Sequence, residues 1–297
     1  MRFLFVDRIL QLSPVQLVRG IKHITRDDHY LCRDEQGKLS FIPSLIGEAL
    51  GQLAAWNVMV NHDFRLRPVA GVVSSASLYR PAYLGETLLL EAHIDALDDV
   101  AVRYHGVARV GDDVVFSIES ALGPLLPMEQ FIDVDEVRRQ FDEINRPGAW
   151  PPLDMANMPL NTPLQDDVST PTASMSFDHV LSSEPGIALC AEKCITRAAS
   201  YFPDHFPRKP VLPMTVLLEC KLNLAREFLA RAQFPEAYRI SELRKIKMNE
   251  FIYPGDVVVC YLKVKSHQAG ELVLNYRSEV DGKRVCVLDV VMTTKGA

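Results

Sequence analysis

One histidine and two glutamates have the residue types and the spacing for acid–base chemistry. His205 lies in the proline-rich stretch FPDHFPRKPVLPMTVLLE, which ends fourteen residues further on at Glu219. Glu48 takes the place of Glu219 when the first half of the chain is aligned with the second. A neutral imidazole with a pKa near 6.5 can accept a proton at physiological pH, and a protonated carboxyl can donate one. The prolines restrict the backbone and predict a rigid loop around the histidine.

Composition and charge indicate which classes of protein and partner are compatible with this chain. The chain has 297 residues, 48% hydrophobic and 24% charged, which is typical of a globular protein with one large or two ordinary domains. Its net charge of −6 argues against a nucleic-acid partner. Asp7 interrupts the first apolar residues, so no signal-peptide core is expected, and no apolar run approaches the roughly 20 residues that span a bilayer. The six cysteines form no metal-ligand pattern and predict reduced side chains in a cytoplasmic protein without a metal.

The chain contains an internal repeat with an offset of 171 residues. Without a gap, Asp7–Ala54 aligns with Asp178–Ala225 and gives 12 identities in 48 positions, against roughly 3 expected from ordinary residue frequencies. The similarity continues more loosely through alternating, β-rich segments, in which Gly111-Asp112 and Asp281-Gly282 indicate hairpin turns. The two halves are therefore predicted to share one fold.

The repeat and the proline content divide the chain into three parts. We predict one domain over residues 1–123, a linker over 124–172 and a second domain over 173–297. Eight prolines from Pro124 to Pro171 give this region the composition of a linker. Within it, MEQFIDVDEVRRQFDEIN could form an amphipathic helix with Asp133 or Asp135 near its start.

Each half is predicted to contain one long helix. The segment at about 44–61 is apolar nearly all round and is predicted to be buried, and the segment at about 214–232 begins the same way and becomes amphipathic. A buried helix followed by four or five strands predicts a sheet wrapped around a central helix, which is the hotdog fold. The fold class is α+β, a double hotdog with two antiparallel sheets packed as an intrachain pseudo-dimer.

The second half resembles the FabA/FabZ type of 3-hydroxyacyl-acyl-carrier-protein dehydratase. That family's motif is H-F-P-x-x-P-V-x-P-G-V-L-x-x-E, and the chain matches it at seven positions: His205, Phe206, Pro207, Pro210, Val211, Pro213 and Glu219. Met214 replaces the glycine and Thr215 the next aliphatic residue. The opening FLFVDRILQLSP, the helix EALGQLAA and the strand entry YPGDVV are similar to further family motifs and extend the likeness to both halves.

The resemblance implies one composite active site. In the family two hotdogs pair, and the histidine of one faces the acid of the other. Carried onto this chain, His205 of the second half is the base and Glu48 of the first half is the acid. Five residues are expected to support them: Gln52, Phe206, Pro213, Met214 and Thr215. The opposite site pairs Asp34 with Glu219 and is expected to be inactive, although a role for Glu219 stays open.

The implied activity is the dehydration of 3-hydroxyacyl thioesters, carried by acyl carrier protein or coenzyme A, in fatty acid or polyketide-like lipid biosynthesis. No cofactor or metal is expected. The partners are the thioester substrate and, for the whole molecule, further copies of the double hotdog. Two alternatives stay open: a hotdog thioesterase, which also uses a helix carboxylate but does not need the histidine loop, and a non-catalytic acyl-binding subunit.

Overall fold

Both halves of the chain follow one order of elements. The computed structural model describes residues 3–26, 28–34, 36–149, 175–268 and 270–294. The elements of the first half are β1 Arg8–Ser13, β2 Leu17–His23, β3 Leu31–Arg33, β4 Leu39–Phe41, α1 Pro43–Asn61, β5 Leu66–Pro68, β6 Val72–Leu78, β7 Thr87–Leu97, β8 Ala101–Val110 and β9 Asp113–Pro127. A short 3-10 helix, Met128–Gln130, and α2, Val134–Ile144, follow. The second half contains β10 His179–Glu184, β11 Ala188–Cys194, α3 Met214–Ala232, β12 Tyr238–Met248, β13 Val257–Gln268, β14 Glu271–Val280 and β15 Lys283–Thr294.

The structure is the α+β double hotdog that the sequence predicted, with its two sheets joined into one. Strands follow the order β1-β2-β7-β8-β9-β6-β12-β15-β14-β13-β11-β10, β5 pairs with β9, and β3 pairs with β4 as a separate small sheet. Each half contributes one side of this order, and the two sides mirror each other. The expected pair of sheets is therefore continuous at its centre, where β6 of the first half pairs with β12 of the second.

The register of β6 and β12 shows the pseudo-twofold axis. Val72 pairs with Lys247 and Ser77 with Glu242, in an antiparallel ladder. With an offset of 170 residues in this region, Val72 corresponds to Glu242 and Ser77 to Lys247, so each pair is the mirror of the other. This is the isologous pattern of a twofold dimer, here within one chain.

The two central helices pack against this sheet. Helix α1 starts with Pro43 at its first position, where the missing N–H costs nothing, and lies against β2, β7 and β8. Helix α3 starts after Pro213 and ends at Gln233, which adopts a left-handed conformation with φ of 51°. The two helices also contact each other. Their close approach brings α1 of one half next to the histidine loop and the α3 start of the other.

The region between the halves begins later than residue 123. That boundary falls inside β9, because the last three residues of β9, ending at Pro127, pair with β5. Helix α2 lies in the segment where a helix was expected, and the Asp133 side chain caps it by accepting from the N–H of Asp135. Residues 150–174 lie outside the described residues, so the division into two domains and a linker stays a proposal. Across the described ranges, no helix has the length and hydropathy to cross a membrane.

Candidate active site

A cavity of about 910 Å³ lies between the two halves. It is bounded by α1, by the central strands β6 and β12, by β8 and β9, and by the histidine loop that leads into α3. Most of its wall is aliphatic or aromatic, including Val73, Ala76, Phe116, Ile118 and Leu243. Such a cavity suits an acyl chain, because apolar surface is buried at both the chain and the wall.

One face of α1 presents the acid to this cavity. Glu48 and Gln52 are one helical turn apart, and the Gln52 Nε2 donates to Glu48 Oε1 at 3.0 Å. The same amide is held by the N-terminal segment, since its Nε2 also donates to the Phe3 carbonyl and its Oε1 accepts from the Phe5 N–H at 2.8 Å. Gln52 therefore bonds both the Glu48 carboxylate and the backbone of the N-terminal segment.

The second carboxylate oxygen of Glu48 is bound by the other half. The Thr215 hydroxyl, on the first turn of α3, donates to Glu48 Oε2 at 2.8 Å. Thr215 is buried, whereas Glu48 is only partly buried because it borders the cavity. Two donors from different parts of the chain thus hold the carboxyl group at the boundary between the halves.

The histidine loop fixes His205 in one tautomer. Its Nδ1 lies 2.9 Å from the Val211 carbonyl, which can only accept, so Nδ1 carries the proton and Nε2 is the nitrogen left for the cavity. The ring is stacked on Phe206, with 4.1 Å between centroids, and meets the edge of Phe3. Burial lowers the pKa of His205 below its ordinary value, although the Glu48 carboxylate opposes this shift. The imidazole is therefore neutral near pH 7, with a free lone pair on Nε2.

The start of α3 places the remaining expected residues. Pro213 precedes the helix and is buried, and Met214 lines the cavity in place of the family's glycine. The first intrahelical bond runs from the Leu217 N–H to the Pro213 carbonyl. The N–H groups of the first turn have no acceptor within the helix, and their dipoles point out of its N-terminus.

Asp34 and Glu219 lie outside this cavity. Glu219 is buried; its carboxylate accepts from the Ser44 N–H and pairs with Arg226, each at 3.4 Å. Asp34 accepts from the Tyr83 hydroxyl and from the N–H of Lys38, which completes a turn after β3. Neither lines the 910 Å³ cavity, which contains His205 and Glu48 together.

Sequence reasoning missed two polar residues of the cavity, Arg67 and Tyr104. Burial lowers the pKa of the Arg67 guanidinium to about 10, and the Glu48 carboxylate opposes this. Burial, followed by the charge of Glu48, raises the pKa of the Tyr104 hydroxyl. Alternation along β8 places Tyr104 on the same side as the buried Val102 and Ala108, a signal that could have found it. Arg67 belongs to a three-residue strand, too short for any periodic signal.

Fold and site together define a double-hotdog protein in which a histidine and a glutamate line one acyl-sized cavity. A family model described as ApeI-like, ApeI dehydratase, matches residues 182–287. Over 125 residues, the chain is 33% identical to the 3-hydroxyacyl-[acyl-carrier-protein] dehydratase FabZ of Caldanaerobacter subterraneus subsp. tengcongensis, covering 39% of this chain and 84% of that relative. The FabZ of Shewanella woodyi is 29% identical over 119 residues, covering 39% of this chain and 78% of that relative. The chain belongs to the 3-hydroxyacyl-[acyl-carrier-protein] dehydratase family.

Solved structures match the chain over its whole length and show the fold. The dehydratase domain of the polyketide PpsC from Mycobacterium tuberculosis aligns with a TM-score of 0.57 at 10% identity, over 98% of each chain. A tesB protein of Mycobacterium avium subs paratuberculosis aligns with a TM-score of 0.60 at 10% identity, over 98% of this chain and 96% of the other. Each aligned partner therefore extends across both hotdogs of this chain.

Proposed function

We propose that the protein is a hydro-lyase that converts 3-hydroxyacyl thioesters to trans-2-enoyl thioesters at one composite site. The observation that carries this proposal is the arrangement of His205 and Glu48. They come from different halves, line one apolar cavity, and leave a neutral imidazole nitrogen available beside a carboxyl group. This is the pair of groups that a dehydration by proton transfer needs.

In the first step the base removes a proton from C2. The Nε2 lone pair of His205 takes the proton, and the electron pair of the C2–H bond moves toward the thioester carbonyl as an enolate. The Val211 carbonyl accepts from Nδ1–H and stabilises the imidazolium that forms. The N–H groups at the start of α3 are the donors for the enolate oxygen, because they are free of intrahelical bonds and lie beside Met214 at the cavity wall.

In the second step the enolate collapses and the C3–O bond breaks. The electron pair of the enolate forms the C2–C3 double bond, and the electron pair of the C3–O bond leaves with the oxygen. The Glu48 carboxyl gives its proton to this departing hydroxyl, which leaves as water. His205 then carries the added proton and Glu48 is a carboxylate, so one proton transfer from imidazolium to carboxylate restores the starting state. Gln52 and Thr215 hold both carboxyl oxygens through the cycle.

The test is an assay of the purified chain on a 3-hydroxyacyl thioester. Enoyl absorbance and free thiol are followed separately. We expect enoyl thioester to form without release of thiol. Release of thiol without enoyl product supports the thioesterase alternative, and neither product supports the acyl-binding subunit.

The carrier, the location and the assembly of the molecule extend this proposal. Arg208 lines the cavity and Lys209 packs over Phe251, another lining residue, so basic groups are available there for an acidic carrier protein. A comparison of kcat/KM for carrier-protein and coenzyme A thioesters decides between the carriers. The six free thiols support a cytoplasmic location. Association of several double hotdogs stays a proposal, tested by light scattering.

A further inference from the structure

Two polar groups in the cavity take no part in the dehydration described above. The Arg67 guanidinium and the Tyr104 hydroxyl both border the cavity that holds His205 and Glu48. Within the ranges that the structure describes, neither side chain hydrogen-bonds to the protein, and the Arg67 Nε is buried without an acceptor. Buried polar groups are almost always satisfied. Two polar groups without protein acceptors thus face one cavity, where a single bound molecule can accept from both.

Arg67 is placed as a recognition group. Its guanidinium carbon lies 4.1 Å from the centroid of the Phe206 ring, so the ring covers one face of the guanidinium and the N–H edge is free to bind. With a pKa of about 10 it is still a cation near pH 7. Glu48 is close enough to influence it, yet the two form no ion pair; the Glu48 oxygens are held by Gln52 and Thr215. Arg67 as a whole is partly buried, but its Nε is buried without an acceptor, which is costly until a ligand satisfies it.

Tyr104 adds a second donor near the same helix face. Its hydroxyl lies 3.4 Å from the position that a Cβ on Gly51 would occupy, and Gly51 is three residues from Glu48 on α1. The phenol therefore packs close to α1 beside Gly51, within one helical turn of Glu48. Because the pKa of Tyr104 is raised, the phenol keeps its proton and donates.

We propose that the cavity selects 3-hydroxyacyl groups that carry an additional oxygen acceptor, a carbonyl, hydroxyl or carboxylate oxygen, farther along the chain than C3. Arg67 and Tyr104 bind that oxygen while His205 and Glu48 act at C2 and C3. The inference rests on the proposed dehydration and names its substrate class. An unsubstituted hydrocarbon chain leaves both donors unsatisfied and is the poorer substrate.

The phosphate of a pantetheine arm is not the acceptor that these groups await. Arg67 packs on the Phe206 ring, which in turn stacks on the His205 ring, so its guanidinium lies near the reacting carbons. The phosphate is separated from the thioester sulfur by the whole length of the pantetheine arm. An acceptor within reach of Arg67 therefore belongs to the acyl group and not to the phosphate.

The experiment compares three N-acetylcysteamine thioesters of equal chain length, which carry no phosphate. One has a plain 3-hydroxyalkanoyl chain, one has a carbonyl at C5, and one ends in a carboxylate. We expect kcat/KM for at least one oxygenated substrate to exceed that for the plain chain about tenfold or more. Arg67→Met should abolish this preference, Arg67→Lys should restore part of it, and Tyr104→Phe should reduce it. A plain coenzyme A thioester is added to detect any contribution of the phosphate.

Arg139→Met is the matched control. Arg139 also lines the cavity, but its side chain is 65% exposed and pairs with Glu136, so the preference should survive its removal. Calorimetric binding of non-hydrolysable thioether analogues of the same three chains gives a readout that does not depend on turnover. Absence of turnover with any chain refutes the dehydratase proposal. Equal binding of the three analogues by the unaltered protein, or equal losses for all three in Arg67→Met, overturns the substrate-class inference.

Discussion

Glu48→Gln separates the chemistry of the acid from its structural contacts, and the repeat provides its own control. The substitution keeps size and shape. The new amide oxygen can accept from Gln52, and the Thr215 hydroxyl can rotate to accept from the new NH2 group. We expect stability to change by about 1 kcal/mol or less, the net value of one rearranged hydrogen bond. Glu219→Gln makes the same change at the equivalent position of the second half.

Glu48→Gln and Glu219→Gln should differ in their effect on the rate, because Glu48 borders the cavity with His205 and Glu219 does not. Loss of a general acid typically lowers the rate about 10²- to 10⁴-fold, which is about 3–5 kcal/mol in the activation barrier. His205→Ala should have a loss of similar size. The double variant should cost little more than either single variant, because groups that act as a unit are not additive. Glu219→Gln weakens a partly exposed contact to Arg226 and should leave turnover within a few-fold.

The assay is single-turnover formation of the enoyl thioester, with circular dichroism and thermal melting for each variant. The sequence resemblance placed Asp34 in the opposite site, so Asp34→Ala joins Glu219→Gln as a control. A large loss in Glu219→Gln with an intact fold would refute the cross-half assignment. Fully additive losses in the His205→Ala and Glu48→Gln double variant would refute the reasoning that the two groups act as one site.

Three further predictions concern pH, stability and metals. The acid limb of kcat/KM should have its midpoint below pH 6.5, because burial lowers the pKa of His205 and only the neutral imidazole can accept the C2 proton; a midpoint at or above 6.5 contradicts this. Lys221 is fully buried with its Nζ 2.9 Å from Cys286 Sγ, and Leu50 takes its place in the first half. Lys221→Leu should leave the melting temperature unchanged or raise it, whereas Leu50→Lys should lower the melting temperature, because it buries a charge with no partner in place of an apolar side chain. A large fall in the melting temperature of Lys221→Leu refutes the reasoning. Chelators should leave turnover unchanged, because His205 and Glu48 supply both proton transfers; a loss that added metal restores contradicts this.

The parts of the site that local sequence determines could be predicted. Prolines and the repeat located the His205 loop, and apolar periodicity located α1 and α3 to within a residue or two. The pairing of Glu48 with His205 in one cavity was expected only through the family resemblance, because residues 157 positions apart have no local signal for contact.

Long-range strand pairing and the polar wall of the cavity could not be predicted in the same way. Alternation tells which face of a strand is buried, but not which strand lies beside it, so the union of the sheets at β6 and β12 was missed. Prolines suggested that the first domain ended at 123, yet β9 continues to Pro127, which is tolerated as the last residue of the strand. Arg67 has the sequence signature of a surface residue, and only tertiary packing buries it beside Phe206.

The pairing of β6 with β12 inside one chain also determines how the cavity can change. In a dimer of identical subunits every substitution occurs twice, and the site would separate on dilution below the dissociation constant. Here the two halves are covalently joined, so the site assembles at an effective concentration that dilution does not alter. Each half can also vary alone. Arg67 lies in the short strand β5, which has no counterpart in the described part of the second half, so the chain carries this guanidinium once, beside the cavity that also contains His205 and Glu48.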